Sequence, residues 1–458
     1  MKTTTLVMVT GLVISFLSFT KAERADIAIQ NVTIIDATGA SEKPGMTVLI
    51  AGNRILRIGL TQKTRLAEGV RIVDGSGKYL IPGLWDMHIH PLEGKDIRWK
   101  EFMALFIVNG ITNVRVMFGD PKFHQWREEI SSGQLTGPRM IIASPRPPEF
   151  ASAEQGRQFV QKNKSEGADF IKILSDDLPR AVYYAIADEA HKQGIPFAGH
   201  VPYSVSSREA SVAGQLSLEH KYAVSIPCAG NEEALRKKLM NIDNFRDRIK
   251  ALADIGYDGR KAAELFSCFS ANATFVCPTL VVWNDPANRD KAEMANDPRL
   301  DFYPPELRNW FKYMGDKLID DEVVADLRRI CSGSHDLVAA MNRAGVKMLA
   351  GTDSGSVPFV LQGFSLHDEL QLLVESGLSP LAALQTATKN AAECAGRLDS
   401  LGTIEEGKIA DLILLEENPL SSIVHTRKID SVFFNGKYFD RSELDKIQND
   451  LKKLAKEI

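Results

Sequence analysis

The sequence is organised around an apolar run that ends in two histidines, Leu84-Trp85-Asp86-Met87-His88-Ile89-His90. In a β-strand, residues two positions apart point to the same face, so the rings of His88 and His90 would face one point. Two neutral imidazoles aimed at one point provide half of a site for a first-row metal ion. The alternative is that both are polar residues at a strand end with nothing bound.

Seven further short apolar segments follow this strand, and helix-prone stretches separate them. Parallel strands joined by crossover helices predict an α/β fold, a (β/α)8 TIM-like barrel, over residues 81–402. A polar, helix-prone stretch from Trp283 to Ile330 is longer than one crossover needs, and we expect it to form a lid or flank at the barrel mouth. The eight strand segments are Leu84–His90, Thr112–Met117, Met140–Ala143, Phe170–Leu174, Phe197–Val201, Leu216–His220, Thr274–Leu280 and Lys347–Thr352.

Both ends of the chain carry short alternating strands separated by turn residues. Residues 23–80 and 403–440 together predict a small β-sandwich domain into which the barrel is inserted. Residues 441–458 predict a charged C-terminal helix.

The first 22 residues have the features of a secretory signal peptide. Lys2 precedes an apolar stretch from Leu6 to Phe19, and Ala22 lies at the expected cut. This stretch is shorter than the ~20 residues that span a bilayer, so we expect a secreted or periplasmic protein with no membrane segment after cleavage. An exported protein can form disulfides, but the five cysteines are an odd number, so at least one thiol is unpaired within the chain, and their spacings match no zinc-ribbon or redox motif.

Composition excludes several partners. The chain has 458 residues, an ordinary hydrophobic fraction of 44% and a net charge of −4. Acidic and basic residues are mixed along the sequence, which argues against nucleic acid or an anionic membrane as a partner. The composition leaves a homo-oligomer open.

Polar residues recur at the carboxyl ends of the predicted strands, where barrel active sites lie. His200 ends strand five, His220 ends strand six, and Asp353 follows strand eight. Lys172 lies within the apolar strand four, where an isolated ammonium would be costly. It could pair with Asp353 or Asp176. The second interpretation is that its neutral amine reacts with carbon dioxide to give a carbamate that bridges two cations.

This set of motifs resembles the amidohydrolase superfamily, in its imidazolonepropionase-like and prolidase-like branch. The resemblance extends over nearly the whole mature chain. It includes the motifs Leu80–His90, Gly167–Ile173, Gly199–Pro202, Glu219-His220, Gly351–Gly355, His367–Leu370, Gly402–Leu412 and Glu417–Leu420.

The resemblance implies two divalent metal ions, with zinc as the default. It implies that His88, His90 and Asp353 bind one ion, that His200 and His220 bind the other, and that carboxylated Lys172 bridges them. A bridging water would attack the substrate carbonyl, and Asp353 would carry its proton to the leaving nitrogen.

Two residues are candidates for binding the substrate. Tyr203 could donate a hydrogen bond to its carbonyl or be a packed aromatic. Arg115 could bind its carboxylate or form an internal salt bridge. The sequence also departs from the branch in two places: Lys221 stands where glycine is usual, and residues 144–149 lack the usual glycine- and histidine-rich loop, which puts proline specificity in doubt.

The leading hypothesis is an exported binuclear hydrolase that cleaves a dipeptide or an N-acyl amino acid. The alternative is a cyclic-amide hydrolase of the imidazolone type or a deaminase, in which a bridging lysine is often absent. A non-catalytic binding protein is disfavoured because none of the six ligand residues is missing.

Overall fold

The computed structural model describes residues 25–174, 176–288 and 296–458. The predicted signal peptide lies outside these residues, as does part of the predicted lid. Within the described ranges, no helix combines the length and the apolar character needed to cross a bilayer.

Strands from both ends of the chain form one eight-stranded mixed sheet, in the order β15-β14-β13-β5-β1-β2-β3 with β4 also paired to β1. Hydrogen bonds join all eight strands, so the pairing differs from the two separate sheets of the predicted β-sandwich. The long strand β1 explains the difference, because one of its edges pairs with β2 and the other pairs first with β4 and then with β5. The strands are β1 (Ile27–Ile34), β2 (Lys43–Ala51), β3 (Arg54–Leu60), β4 (Arg71–Asp74), β5 (Tyr79–Pro82), β13 (Leu412–Leu415), β14 (Ile429–Phe434) and β15 (Lys437–Phe439).

The central part of the chain forms a ring of parallel pairings, called the parallel ring below. Strands β6-β7-β8 and β9-β10-β11-β12 are two parallel sheets. Single parallel bridges connect them: Ala143 pairs with Phe170, Val276 with Met348, and Ser354 with Ile89. The strands are β6 (Leu84–Ile89), β7 (Ile111–Val116), β8 (Arg139–Ile142), β9 (Ile171–Ile173), β10 (Phe197–Gly199), β11 (Ser217–Glu219) and β12 (Phe275–Cys277).

The eighth segment joins this ring through single bridges instead of a continuous strand. The backbone N–H of Thr352 donates to Oδ1 of Asp86 at 3.0 Å, and its hydroxyl donates to Oδ2 of Asp86 at 2.7 Å. Because the Thr352 N–H donates to the Asp86 carboxylate, this N–H is not available for strand pairing. The side chain of Asp86 therefore connects the first segment of the ring to the last.

Helices surround the ring and cover one end of it. We call α7, α8, α10 and the first half of α12 the helical cap, because one apolar cluster joins them. The helices are α1 (Ala104–Val108), α2 (Pro121–Ser131), α3 (Ala153–Ser165), α4 (Arg180–Gln193), α5 (Ser207–Val212), α6 (Tyr222–Ser225), α7 (Glu232–Met240), α8 (Phe245–Ala253), α9 (Gly259–Ala271), α10 (Val281–Ala287), α11 (Pro305–Leu318), α12 (Asp321–Arg343), α13 (Ser365–Glu375), α14 (Pro380–Thr386), α15 (Lys389–Cys394) and α16 (Arg441–Glu457).

Candidate metal centre

Four histidines and an aspartate meet at the carboxyl ends of the ring strands. Oδ1 of Asp353 lies 3.0 Å from Nε2 of His90 and 3.4 Å from Nε2 of His88. Its other oxygen lies 4.0 Å from Nε2 of His220. Nε2 of His220 is in turn 3.1 Å from Nε2 of His200. The five predicted residues therefore form one continuous line of potential ligands.

Two of these histidines are oriented by a hydrogen-bond partner at the opposite ring nitrogen. Nδ1 of His88 lies 3.0 Å from Oε2 of Glu219, and Nδ1 of His220 lies 2.8 Å from the hydroxyl of Thr279. Such contacts fix the tautomer and the ring plane of metal-binding histidines. Burial lowers the pKa of His220 to about 3 and holds the pKa of His88 well below its usual range. Both rings are therefore neutral, which is the form that binds a metal ion.

The Nδ1 atom of His200 faces a carboxylate without a hydrogen bond to it: Oδ1 of Asp176 lies 3.4 Å away. In all three histidines, Nε2 is directed at the shared centre. Atoms of His88, His220 and Asp353 lie within 4.8 Å of one another, which is close enough for one cation to contact them all.

Lys172 is buried in strand β9 with 1% of its surface exposed. Its Nζ has no hydrogen-bond partner among the described residues, so the predicted alternative of a hydrogen-bonded pair with Asp176 or Asp353 is not seen. Burial lowers its pKa to about 8, although the charges of Glu219 and Asp353 act in the opposite direction. A neutral amine is therefore accessible near neutral pH.

The backbone at the site is strained. His220, Asp353 and Thr279 have φ angles of 66°, 58° and 47°, which non-glycine residues rarely adopt. Such conformations cost about 1–3 kcal/mol each and persist where the surroundings enforce them. Two of these residues are predicted ligands and the third orients a ligand, so the strain is concentrated at the candidate centre.

Arg115 occupies the internal salt bridge that the sequence left as the alternative to substrate binding. Its side chain is 4% exposed, and it donates to the Met87 carbonyl at 2.6 Å, to Ser217 Oγ at 2.7 Å and to Glu219 Oε1 at 2.7 Å. Each of the three guanidinium nitrogens of Arg115 therefore donates one of these hydrogen bonds. Arg115 is thus placed as the cationic partner of the buried Glu219, as in the predicted alternative of an internal salt bridge.

Tyr203 lies in the apolar cluster of the helical cap, which matches the predicted alternative of a packed aromatic. The aromatic residue next to the histidines is Tyr222, which the sequence did not single out. Its ring stacks on His220 at 5.4 Å between centroids and meets the edge of His200 at 6.0 Å. Tyr222 therefore forms one wall of the centre.

A cavity of about 690 Å³ lies beside His200. The loops after β8 and β9 line it together with Arg248 of α8. It contains charges of both signs, from Arg146, Glu149, Asp176 and Arg248. Its position next to a predicted ligand gives a small polar molecule access to the centre.

The residues fit a divalent cation. Imidazole nitrogens and carboxylate oxygens suit zinc and also accept other first-row metals. The amine of Lys172 is buried without a hydrogen-bond partner among the described residues, which is costly for a charged ammonium. The sequence analysis did not assign the roles of Glu219, Asp176 and Thr279. For Glu219 a signal was present, because a glutamate stands directly before His220 at the end of a predicted apolar strand.

Comparison with protein families gives a match over most of the chain. The sequence profile of the Amidohydrolase family matches residues 79–438, which include the parallel ring and the C-terminal strands of the mixed sheet.

Individual relatives are more distant. An adenine deaminase from Bacillus velezensis is 22% identical over 398 residues, which are 86% of this chain and 55% of the deaminase. The chain thus spans about half the length of that relative. Adenine deaminase 3 from Rhizobium meliloti is 34% identical over 97 residues, which are 21% of this chain and 16% of that deaminase.

Solved structures of similar fold include a bottromycin amidohydrolase, with a TM-score of 0.72, 22% identity and coverage of 93% of this chain and 90% of the other. A Xaa-Pro dipeptidase with bound methionine gives a TM-score of 0.64 at 20% identity and covers 90% of this chain and 99% of the other. At such identities the likeness shows the fold alone, a TIM-barrel type with a separate sheet domain.

Proposed function

Because the chain belongs to the amidohydrolase family, whose members hydrolyse carbon–nitrogen bonds, we propose that it cleaves the amide bond of a dipeptide or an N-acyl amino acid. The proposed enzyme is exported by its N-terminal segment and holds two divalent metal ions. We assign zinc to both positions, with manganese or cobalt as the other metals that the ligands accept.

The observation that carries this proposal is the buried amine of Lys172, which has no hydrogen-bond partner among the described residues and interacts electrostatically with His88, His220 and Asp353. Its neutral form can attack carbon dioxide: the nitrogen lone pair forms a bond to carbon, and one proton leaves to solvent. The product is a carbamate whose two oxygens can face two cations. A site for one metal would not require such a bridge.

Each protein group then has a defined task. One ion would be held by His88, His90 and Asp353. The other would be held by His200 and His220, and carboxylated Lys172 would bind both ions. When bound, the metals lower the pKa of water and polarise a carbonyl oxygen. Asp353 accepts the proton of the attacking water and returns it to the leaving nitrogen, as a general base and then a general acid. The cavity beside His200 holds the remainder of the substrate.

The test is metal analysis together with a hydrolysis screen. The purified protein, supplied with zinc and bicarbonate, should contain two zinc ions per chain and should hydrolyse members of a dipeptide and N-acyl amino acid library. Lys172→Ala should lose activity and at least one zinc ion, and acetate should restore part of both by replacing the carbamate.

A matched control uses another buried lysine. Lys408 is 9% exposed and donates to the carbonyl of Leu398 and to Thr403, next to the mixed sheet. Lys408→Ala should keep two zinc ions. One ion or none in the unaltered protein would contradict the binuclear assignment.

Deamination is the second candidate function, because the curated relatives that align over most of the chain are adenine deaminases. Release of ammonia from adenine or from a cyclic amidine, without hydrolysis of linear amides, would favour this alternative. The same screen should therefore include these compounds.

A further inference from the structure

We propose that Arg248 is a positioning residue that connects the helical cap to a metal ligand: it holds Asp176, and Asp176 holds the ring of His200. This inference rests on the proposed function, which assigns His200 to the second metal ion. It adds that the second ion depends on a helix outside the parallel ring.

Arg248 lies on α8 and reaches from the cap toward the ring. Its Nη1 is 3.1 Å from Oδ2 of Asp176, and its Nη2 donates to the carbonyl of Ile242 at 2.9 Å. The guanidinium also lies 5.8 Å from the centre of the Tyr203 ring. Three contacts in different directions fix both its position and its plane, which a flexible lysine would not reproduce.

Asp176 faces His200 with its other oxygen. Oδ1 of Asp176 and Nδ1 of His200 are 3.4 Å apart, and neither of these buried atoms has a hydrogen-bond partner in the described part of the chain. Each is thus the available partner of the other, and catalytic contacts of this kind often tighten when a site is loaded. The carbonyl of Asp176 also accepts a hydrogen bond from the Tyr203 backbone at 2.8 Å.

The two halves of the centre are therefore supported from different places. His88 is held by Glu219, which lies inside the parallel ring and is fully buried. His200 faces Asp176, whose side chain is 21% exposed and forms an ion pair with a cap residue. Loosening of α8 would release Asp176 and free the His200 ring to rotate, while the contact between His88 and Glu219 would persist.

The test compares zinc affinities of full-length variants by competition with a chelating dye, which resolves two dissociation constants. Loss of an outer partner of a metal ligand typically weakens binding about 10–100-fold. We expect Arg248→Met and Asp176→Asn to weaken the second zinc ion by about tenfold or more and to leave the first unchanged. Arg248→Lys keeps the positive charge but lacks the planar set of guanidinium donors. Its affinity for the second zinc ion should therefore lie between the affinities of Arg248→Met and the unaltered protein.

Arg236→Met is the matched control. Arg236 lies on α7 of the same cap and donates to the Tyr203 carbonyl at 2.7 Å, but the carboxylate it faces is Glu232 instead of Asp176. Arg236→Met removes a similar contact of the helical cap but leaves the contact between Arg248 and Asp176. Both zinc dissociation constants should therefore stay unchanged, even if the melting temperature falls.

The outcomes separate this inference from the proposed function. Two zinc ions in the unaltered protein, with unchanged constants in Arg248→Met, would overturn the role of Arg248 and leave the proposed function standing. Equal weakening of both ions in Arg248→Met and Arg236→Met would show a general structural effect and would also overturn it. One ion or none in the unaltered protein would overturn both proposals.

Discussion

Replacing Arg115 by methionine tests whether the buried ion pair below the centre is structural. Methionine fills much of the same volume but removes the charge and all the donors. The carboxylate of Glu219 would then stay fully buried without a cation, and the Met87 carbonyl would lose a donor at 2.6 Å.

The size of the effect follows from burial. Breaking a buried ion pair by removing one partner costs about 3–5 kcal/mol, because it leaves an uncompensated charge. Unfolding entropy of about 2.1 cal/mol/K per residue makes 1 kcal/mol worth about 1 °C in a cooperative chain of 458 residues. We therefore expect the melting temperature of Arg115→Met to fall by about 3–5 °C. Zinc affinity should fall as well, since Glu219 orients His88.

Scanning calorimetry of the protein with and without zinc measures this change. The control is Arg127→Met, because Arg127 contacts Asp169 at the same 2.7 Å but both side chains are 35% exposed. An exposed pair contributes about 0.2–1 kcal/mol, so this control should shift by about 1 °C or less. If Arg115→Met melts like the control and only raises KM for substrates with a carboxylate, Arg115 binds substrate and the internal assignment is wrong.

Three further changes have defined outcomes. Asp353→Asn removes the proton carrier and should reduce kcat about 10²- to 10⁴-fold at saturating zinc; near-normal turnover would exclude that role. Burial raises the pKa of Glu369 to about 8, so the unaltered protein loses stability as pH rises from about 4.5 to 8. The melting temperature of Glu369→Gln should therefore rise relative to that of the unaltered protein over this interval. Parallel curves of melting temperature against pH for the two proteins would contradict the raised pKa. Gly199 has φ of 129°, and an added Cβ would lie 2.2 Å from the Ile173 carbonyl and 2.9 Å from Cδ of Lys172. Gly199→Ala should therefore lower the melting temperature and the zinc content together, and a variant with both unchanged would show that this contact is not limiting.

The sequence was sufficient where one residue type contradicted its surroundings. Lys172 within an apolar strand predicted a buried amine, and the structure buries it with no partner. The histidines at strand ends predicted a cluster because parallel strands bring their carboxyl ends to one rim. Short apolar runs separated by turns also predicted strands at both ends of the chain, but they did not specify how one long strand, β1, would share its edge between two neighbours.

The sequence was insufficient where depth or backbone direction decides the role. Arg115 precedes the end of β7 by one residue, and alternation does not tell whether it faces the mouth or the floor of the ring. In a regular strand Glu219 and His220 would point to opposite faces. The left-handed backbone at His220 changes this, so that Glu219 lies 3.0 Å from His88 while the rings of His88 and His220 are 4.9 Å apart.

The different supports of the two halves imply unequal retention of the two cations. Glu219 is fully buried and is itself held by Arg115, so moving His88 requires breaking a network inside the ring. Asp176 is partly exposed, and its ion pair with Arg248 competes with water. Dialysis against a chelator should therefore remove the His200-side ion first and yield a one-zinc protein before the empty one. If both ions leave together, the proposed Lys172 carbamate determines their retention, and the contacts of Glu219 and Asp176 do not.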